Sequence, residues 1–191
     1  EKVDISDPVV SRSLGLSAVY QDVTIAGDLT VAENFFLGNI PKNKFGLVKW
    51  EYMYEVTQKA LDALNIKVDA HSLVKNLPVA KQAMVVIAKK NFDKCKLMIF
   101  DEPTALLANE EVEELFKIIR QLKNEGAAIV YISHRLEEIF ELCDVVTVLK
   151  DGKWIDTLPV ADTTEDELIS KMVGRTIEDM YSINHIEPGE T

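Results

Sequence analysis

Lys96-Leu97-Met98-Ile99-Phe100-Asp101-Glu102-Pro103-Thr104 is an apolar run that stops abruptly on two adjacent carboxylates. A continuous apolar run of this length is the pattern of a strand covered on both faces. Such strands belong to parallel sheets flanked by helices, and those sheets place their chemistry just beyond the strands' carboxyl ends. The run therefore predicts an α/β fold, with Asp101 and Glu102 at the working edge of its sheet. Asp101 is placed there to hold Mg²⁺, directly or through water, while Glu102 orients an attacking water. The competing reading is a carboxylate pair that only caps the turn before a helix starting at Asn109.

The rest of the chain alternates between strand and helix patterns. Leu16 to Tyr20 reads as a short strand ending at Gln21-Asp22, and Ala127 to Ile132 as a buried strand followed at once by Ser133-His134. Between them, Val112, Leu115, Phe116, Ile119 and Leu122 mark the inner stripe of a helix from Asn109 to Glu125. Acidic residues crowd its start and basic ones its end, which suits the macrodipole, and Gly126 follows as its stop. Thr30 with Glu33 forms a capping box. Further helices are expected from Glu51 to Leu64, from about Val79 to Phe92, through Leu142, and from about Thr164 to Val173. Pro41 to Gly46 reads as a loop. Val145–Leu149 and Trp154–Leu158 flank Asp151-Gly152, a hairpin signal. These elements predict a mainly parallel sheet with a late antiparallel hairpin and an inserted helical lobe. The expected division is a core segment at 1–28, the helical lobe at 29–93, the rest of the core at 94–181 and a fraying polar tail at 182–191.

The formal net charge of -11 argues against a nucleic-acid-binding surface. With 47% hydrophobic and 28% charged residues the chain is globular in composition, and no apolar stretch approaches a membrane span. Cys95 and Cys143 sit in apolar contexts and read as buried, reduced thiols. The sequence begins at Glu1 without a methionine, and a fragment is the expectation.

Three strand ends carry Gln21, Asp101-Glu102 and His134. Adjacent parallel strands bring such ends to one edge, where an imidazole can donate to a γ-phosphate oxygen and an amide can reach Mg²⁺ or the attacking water. With these residues in place the chain resembles the ATP-binding subunits of ABC transporters, from about Ser13 to Tyr181. Gln21 falls at the Q-loop, Leu97 to Thr104 at Walker B, and His134 at the switch histidine. Leu29 to Asn34, Ile129 to Phe140 and Met172 to Arg175 resemble the monosaccharide importers of the galactose/methyl-galactoside or ribose type, in the first of their two nucleotide-binding halves. The resemblance implies a partial RecA-like P-loop ATPase core that uses ATP and Mg²⁺. It also implies a second nucleotide-binding half and membrane permease subunits as partners. The place in the cell would be cytoplasmic, peripheral on the inner face of the membrane through the permease.

Two departures from that family are visible. No G-x-x-x-x-G-K-[ST] phosphate loop occurs in the 191 residues, so the chain alone is expected neither to hydrolyse ATP nor to bind it tightly. By resemblance Leu77-Pro78-Val79-Ala80-Lys81-Gln82 occupies the signature, with Pro78 in place of serine and Ala80 in place of glycine. Pro78 is expected as a first-turn residue that leaves the helix intact. Ala105-Leu106-Leu107-Ala108 lacks the hydroxyl and acidic residues of a D-loop. The alternative these departures raise is a degenerate, non-catalytic interaction module. A core lacking one strand and helix is also expected to self-associate.

Overall fold

The computed structural model describes residues 5, 7–20, 25–93 and 95–173. They fall into two compact units, one within residues 1–134 and one from Arg135 onward.

The first unit is built on a three-stranded parallel sheet ordered β1 (Leu16–Val19), β2 (Leu97–Asp101), β3 (Ala128–Ile132). Val19 pairs with Phe100, and Asp101 with Ile132, so the carboxyl ends of the strands lie level. Gly15 sets the start of this register: its carbonyl accepts from Lys96 N and Leu97 N at 2.7 and 3.1 Å. A Cβ there would meet Lys96 Cγ at 3.0 Å, and its φ of +83° is one glycine adopts freely.

The central strand is less covered than its sequence predicts. Met98 and Phe100 are fully buried, whereas Leu97 and Ile99 on the opposite face are only half-buried. The departure is larger in β3, which reads as buried but leaves Ala128, Val130 and Ile132 exposed. It has a neighbouring strand on one side only among the described residues. Its other face is covered, because Tyr131 packs against Phe100 and edge-on against Phe116 of α5 (Asn109–Asn124). In α5 the predicted stripe is buried throughout, and Gly126 follows with φ +96°.

A short helix before the sheet, α1 (Pro8–Ser13), has no counterpart in the sequence reading. Asp7 caps it, accepting from Val9 N and Val10 N at 2.7 and 2.9 Å, and Pro8 opens its first turn. Among the described residues between β1 and β2 lie three α-helices, α2 (Val31–Phe35), α3 (Trp50–Ala63) and α4 (Val79–Phe92), and a 3₁₀ turn at Val74–Asn76. The Thr30–Glu33 capping box starts α2 as its sequence predicts. Met53 of α3 packs with Ala32 and Ala70, and Phe92 of α4 meets the rings of Phe35 and Phe36 at about 6 Å. Buried Asn34 ties the incoming loop to α2, accepting from Ala26 N and donating to Ala26 O and Thr30 O. Pro78 is the N-cap of α4 rather than part of its first turn, since its ψ of 150° is extended and the helical residues begin at Val79.

Cys95 and Cys143 are free thiols, half-buried rather than buried. Burial pushes the Cys95 thiol up, against hydrogen bonds to backbone that lower it.

The second unit contains α6 (Leu136–Leu142), an antiparallel hairpin of β4 (Val145–Lys150) and β5 (Lys153–Pro159), and α7 (Glu165–Val173). Asp151 and Gly152 both take positive φ, 51° and 72°, as a two-residue hairpin turn of the primed kind requires. Lys171 of α7 bonds Asp156 of β5 at 2.9 Å. The predicted polar tail lies outside the described residues. Among the described residues no helix is long and apolar enough to cross a membrane.

Candidate active site at the carboxyl edge of the sheet

Asp101 ends β2 and Glu102 leaves the sheet, but the ladder continues one step further: Glu102 N donates to Ile132 O at 2.9 Å. That bond fixes Glu102 beside the exit of β3, and His134 stands two residues beyond Ile132. The result is a direct contact, with His134 Nδ1 3.1 Å from Glu102 Oε1. Residues 32 apart in sequence meet because two parallel strands end level. The Glu102 side chain is 34% exposed and that of His134 is 69% exposed, so a solute or water reaches both.

Glu102 has φ +45°, a left-handed backbone that a non-glycine residue adopts at a cost of about 1–2 kcal/mol. The other described non-glycine residues with positive φ are Asn65 and Asp151, both types that tolerate it. Glutamate has no such tolerance, and strain of this kind clusters where a side chain has work to do. Downstream the chain turns sharply, with Ala105 N bonding Glu102 O and Leu107 N bonding Thr104 O, while Thr104 is buried.

The start of α5 is served by its own Glu111, whose carboxylate accepts from Ala108 N at 2.9 Å.

The fold thus brings Asp101, Glu102 and His134 to one edge. Val19, the last residue of β1, is level with Phe100, so β1 exits toward the same edge. Gln21, two residues later, lies outside the described residues. The Pro78–Gln82 segment occupies the start of α4, where its polar groups are engaged locally. Gln82 Nε2 donates to Leu77 O at 2.9 Å and Lys81 Nζ pairs with Glu114 of α5 at 2.5 Å. Val79 is exposed, while Ala80 is buried in the core.

No group of three or more His, Cys, Asp or Glu side chains suited to holding a metal occurs among the described residues. Asp101, the last residue of β2, is of the donor type that Mg²⁺ takes, which is one or two carboxylates with phosphate and water oxygens in its other positions.

Two features of this edge escape the sequence reading. The left-handed backbone of Glu102 carries no residue-type signal, since glutamate is not chosen for it. The role of Glu111 was open to inspection, because it stands three residues after Ala108.

The chain is 44% identical over 187 residues to the ribose import ATP-binding protein RbsA of Lactococcus lactis subsp. lactis. That match takes in 98% of this chain but only 38% of the relative. The fold is also that of solved ATP-binding cassettes. An ATP-binding cassette of an ABC transporter, MJ1267, superposes with a TM-score of 0.73 at 22% identity, over 88% of this chain and 71% of that one. CbiO1 from Clostridium perfringens, part of the ABC transporter complex CbiONQ, gives a TM-score of 0.71 at 21% identity, over 88% and 67%. The sequence pattern of the ABC transporter family matches residues 2–105, more than half of the 191. The chain therefore belongs to the ABC transporter family.

Proposed function

We propose that this chain is part of the nucleotide-binding component of a sugar ABC importer, in which ATP hydrolysis drives monosaccharide uptake through a membrane permease. The observation that carries this reading is the Glu102–His134 contact at the end of adjacent parallel strands. Its support from relatives is the likeness to a ribose import ATP-binding protein.

In this reading Glu102 is the group that touches the attacking water. Its Oε1 faces His134, which leaves Oε2 to accept from a water and align it. His134 serves the transferred phosphoryl group through a ring nitrogen that carries a proton, and Gln21 takes the sensing role that the family resemblance implies. Asp101 holds Mg²⁺, which when bound neutralises charge on the phosphate oxygens. The helical lobe at 29–93 carries Pro78 to Gln82 toward a nucleotide held with a second nucleotide-binding half, and docks on the permease.

This reading makes the chain part of a longer protein, and hydrolysis is tested there. Glu102→Gln there lowers ATP turnover by about 10²-fold or more while leaving Mg·ATP affinity in place. A variant with undiminished turnover refutes the role of Glu102. The 191-residue chain titrated with Mg·ATP shows no saturable isotherm in the micromolar range, because no phosphate-loop motif is present in it.

One observation favours a second reading, a non-catalytic interaction module. Ala80 points into the core and Lys81 is tied to Glu114, so the altered signature is spent on internal contacts. Turnover by the longer protein decides between the two.

A further inference from the structure

We propose that the loop from Pro41 to Lys49, with the first turn of α3, is a face that seats directly on an anionic lipid surface. This inference uses no residue of the candidate ATP site, and it gives this one face of the helical lobe to lipid rather than to the permease. The stretch holds Lys42, Lys44 and Lys49, and no aspartate or glutamate occurs between Glu33 and Glu51. In a chain of net charge -11 it reverses the local sign. The same stretch turns apolar side chains outward: Phe45 is 77% exposed, Leu47 65%, and Trp50 is exposed beside them.

The loop is built to hold that display. The Asn43 side chain accepts from Phe45 N and Leu47 N at 2.9 and 3.0 Å. Its backbone donates to Leu47 O at 2.8 Å, and Lys49 N closes the base on Pro41 O at 3.0 Å. With its backbone bonded internally, the loop fixes Phe45 and Leu47 outward without help from the core. Lys44 Nζ lies 5.3 Å over the Phe45 ring, so cation and ring face the same way.

Rings and aliphatic groups interleaved with lysines match the boundary of a bilayer, where ammonium groups meet phosphates and apolar tips enter between headgroups. Charge complementarity therefore selects an anionic lipid surface as the occupant. The protein's other carboxylates oppose this weakly, since fields fade over about 8 Å at physiological ionic strength. Glu51, next to Trp50, marks the limit of the face.

The test sediments the purified chain with vesicles of phosphatidylcholine alone, or of phosphatidylcholine and phosphatidylglycerol in equal parts. The chain is expected to pellet with the anionic vesicles only, and to be released as salt rises from about 0.1 to 1 M. A combined Lys42→Gln, Lys44→Gln, Lys49→Gln variant binds about tenfold or more weakly, and Phe45→Ser several-fold more weakly. All four side chains are exposed, and circular dichroism checks that the variants fold; the salt titration needs no variant. Absence of anionic-vesicle binding, or binding insensitive to salt, overturns the proposal. So does vesicle binding unchanged in variants that lose a permease on co-purification or a dimer in light scattering, which makes the face a protein contact.

Discussion

Replacing Glu102 by alanine and by glycine separates backbone strain from side-chain chemistry at the candidate site. Any residue with a Cβ bears about 1–2 kcal/mol at the left-handed φ of 45° found here. Glycine escapes that cost but loses about 0.5–1 kcal/mol through the greater freedom of the unfolded chain. Both variants lose the His134 contact equally, so it cancels from the comparison. Glu102→Gly should therefore be more stable than Glu102→Ala by about 0.5–1 kcal/mol, whereas an ordinary site favours alanine by a similar amount. The measurement is urea unfolding followed by fluorescence in a Trp154→Phe background, where Trp50 is the remaining tryptophan and reports on the first unit. With a slope near 2 kcal/mol per molar, the midpoints should differ by a few tenths molar. An alanine variant as stable as the glycine variant would refute the strain and, with it, the argument that this position is held for its carboxylate.

The Thr57 hydroxyl is fully buried with no hydrogen-bond partner, so Thr57→Val should raise stability by about 1 kcal/mol, and a lowered urea midpoint would contradict this. Asn34→Ala strands the Ala26 N–H and C=O and should cost about 2 kcal/mol or more by the same measurement. Hydrogen bonds from the His71 backbone and ring hold the Asp69 carboxyl below the usual aspartate range, so it stabilises the fold above that range. That contribution is lost as pH falls through the depressed value, and Asp69→Asn should flatten the acid limb of a stability–pH curve. Val130 and Ile132 are exposed on β3, which has no strand beyond it among the described residues; they should make the chain self-associate, and Ile132→Lys should shift light scattering toward the monomer.

What the sequence makes legible here is what local chemistry decides. The Thr30–Glu33 box, the Asp151-Gly152 turn and the stripe of α5 each follow from a few neighbouring residues, and each is found where expected. Burial is different because it depends on what lies alongside. Ala128 to Ile132 has the composition of a covered strand, yet Ala128, Val130 and Ile132, which share one face of it, are left exposed among the described residues. Only six residues long, α1 gives no periodicity to detect, although Asp7-Pro8 is a start signal in retrospect. Asp101, Glu102 and His134 were legible as a group because strand ends in a parallel sheet share an edge. The backbone strain beneath Glu102 was not, because glutamate gives no sign of it.

On the proposed reading, the Glu102–His134 contact also constrains how the site works. An ionised carboxylate only accepts hydrogen bonds, so with Glu102 ionised the contact requires the tautomer whose proton sits on Nδ1. In a neutral imidazole the second nitrogen, Nε2, is then an acceptor and would repel rather than bind a phosphate oxygen. His134 can serve a phosphoryl group only by taking a second proton or by leaving Glu102. The first route makes an imidazolium that lies between two anions and stabilises both. The second frees Glu102 Oε1 and doubles the oxygens available to an attacking water. Exposure of 69% gives the ring room to swing, and a γ-phosphate supplies the negative charge that rewards either change. In the proposed site each group thus restrains the other, and His134 engages a phosphate oxygen once solvent supplies a proton to Nε2 or once the ring has left Glu102.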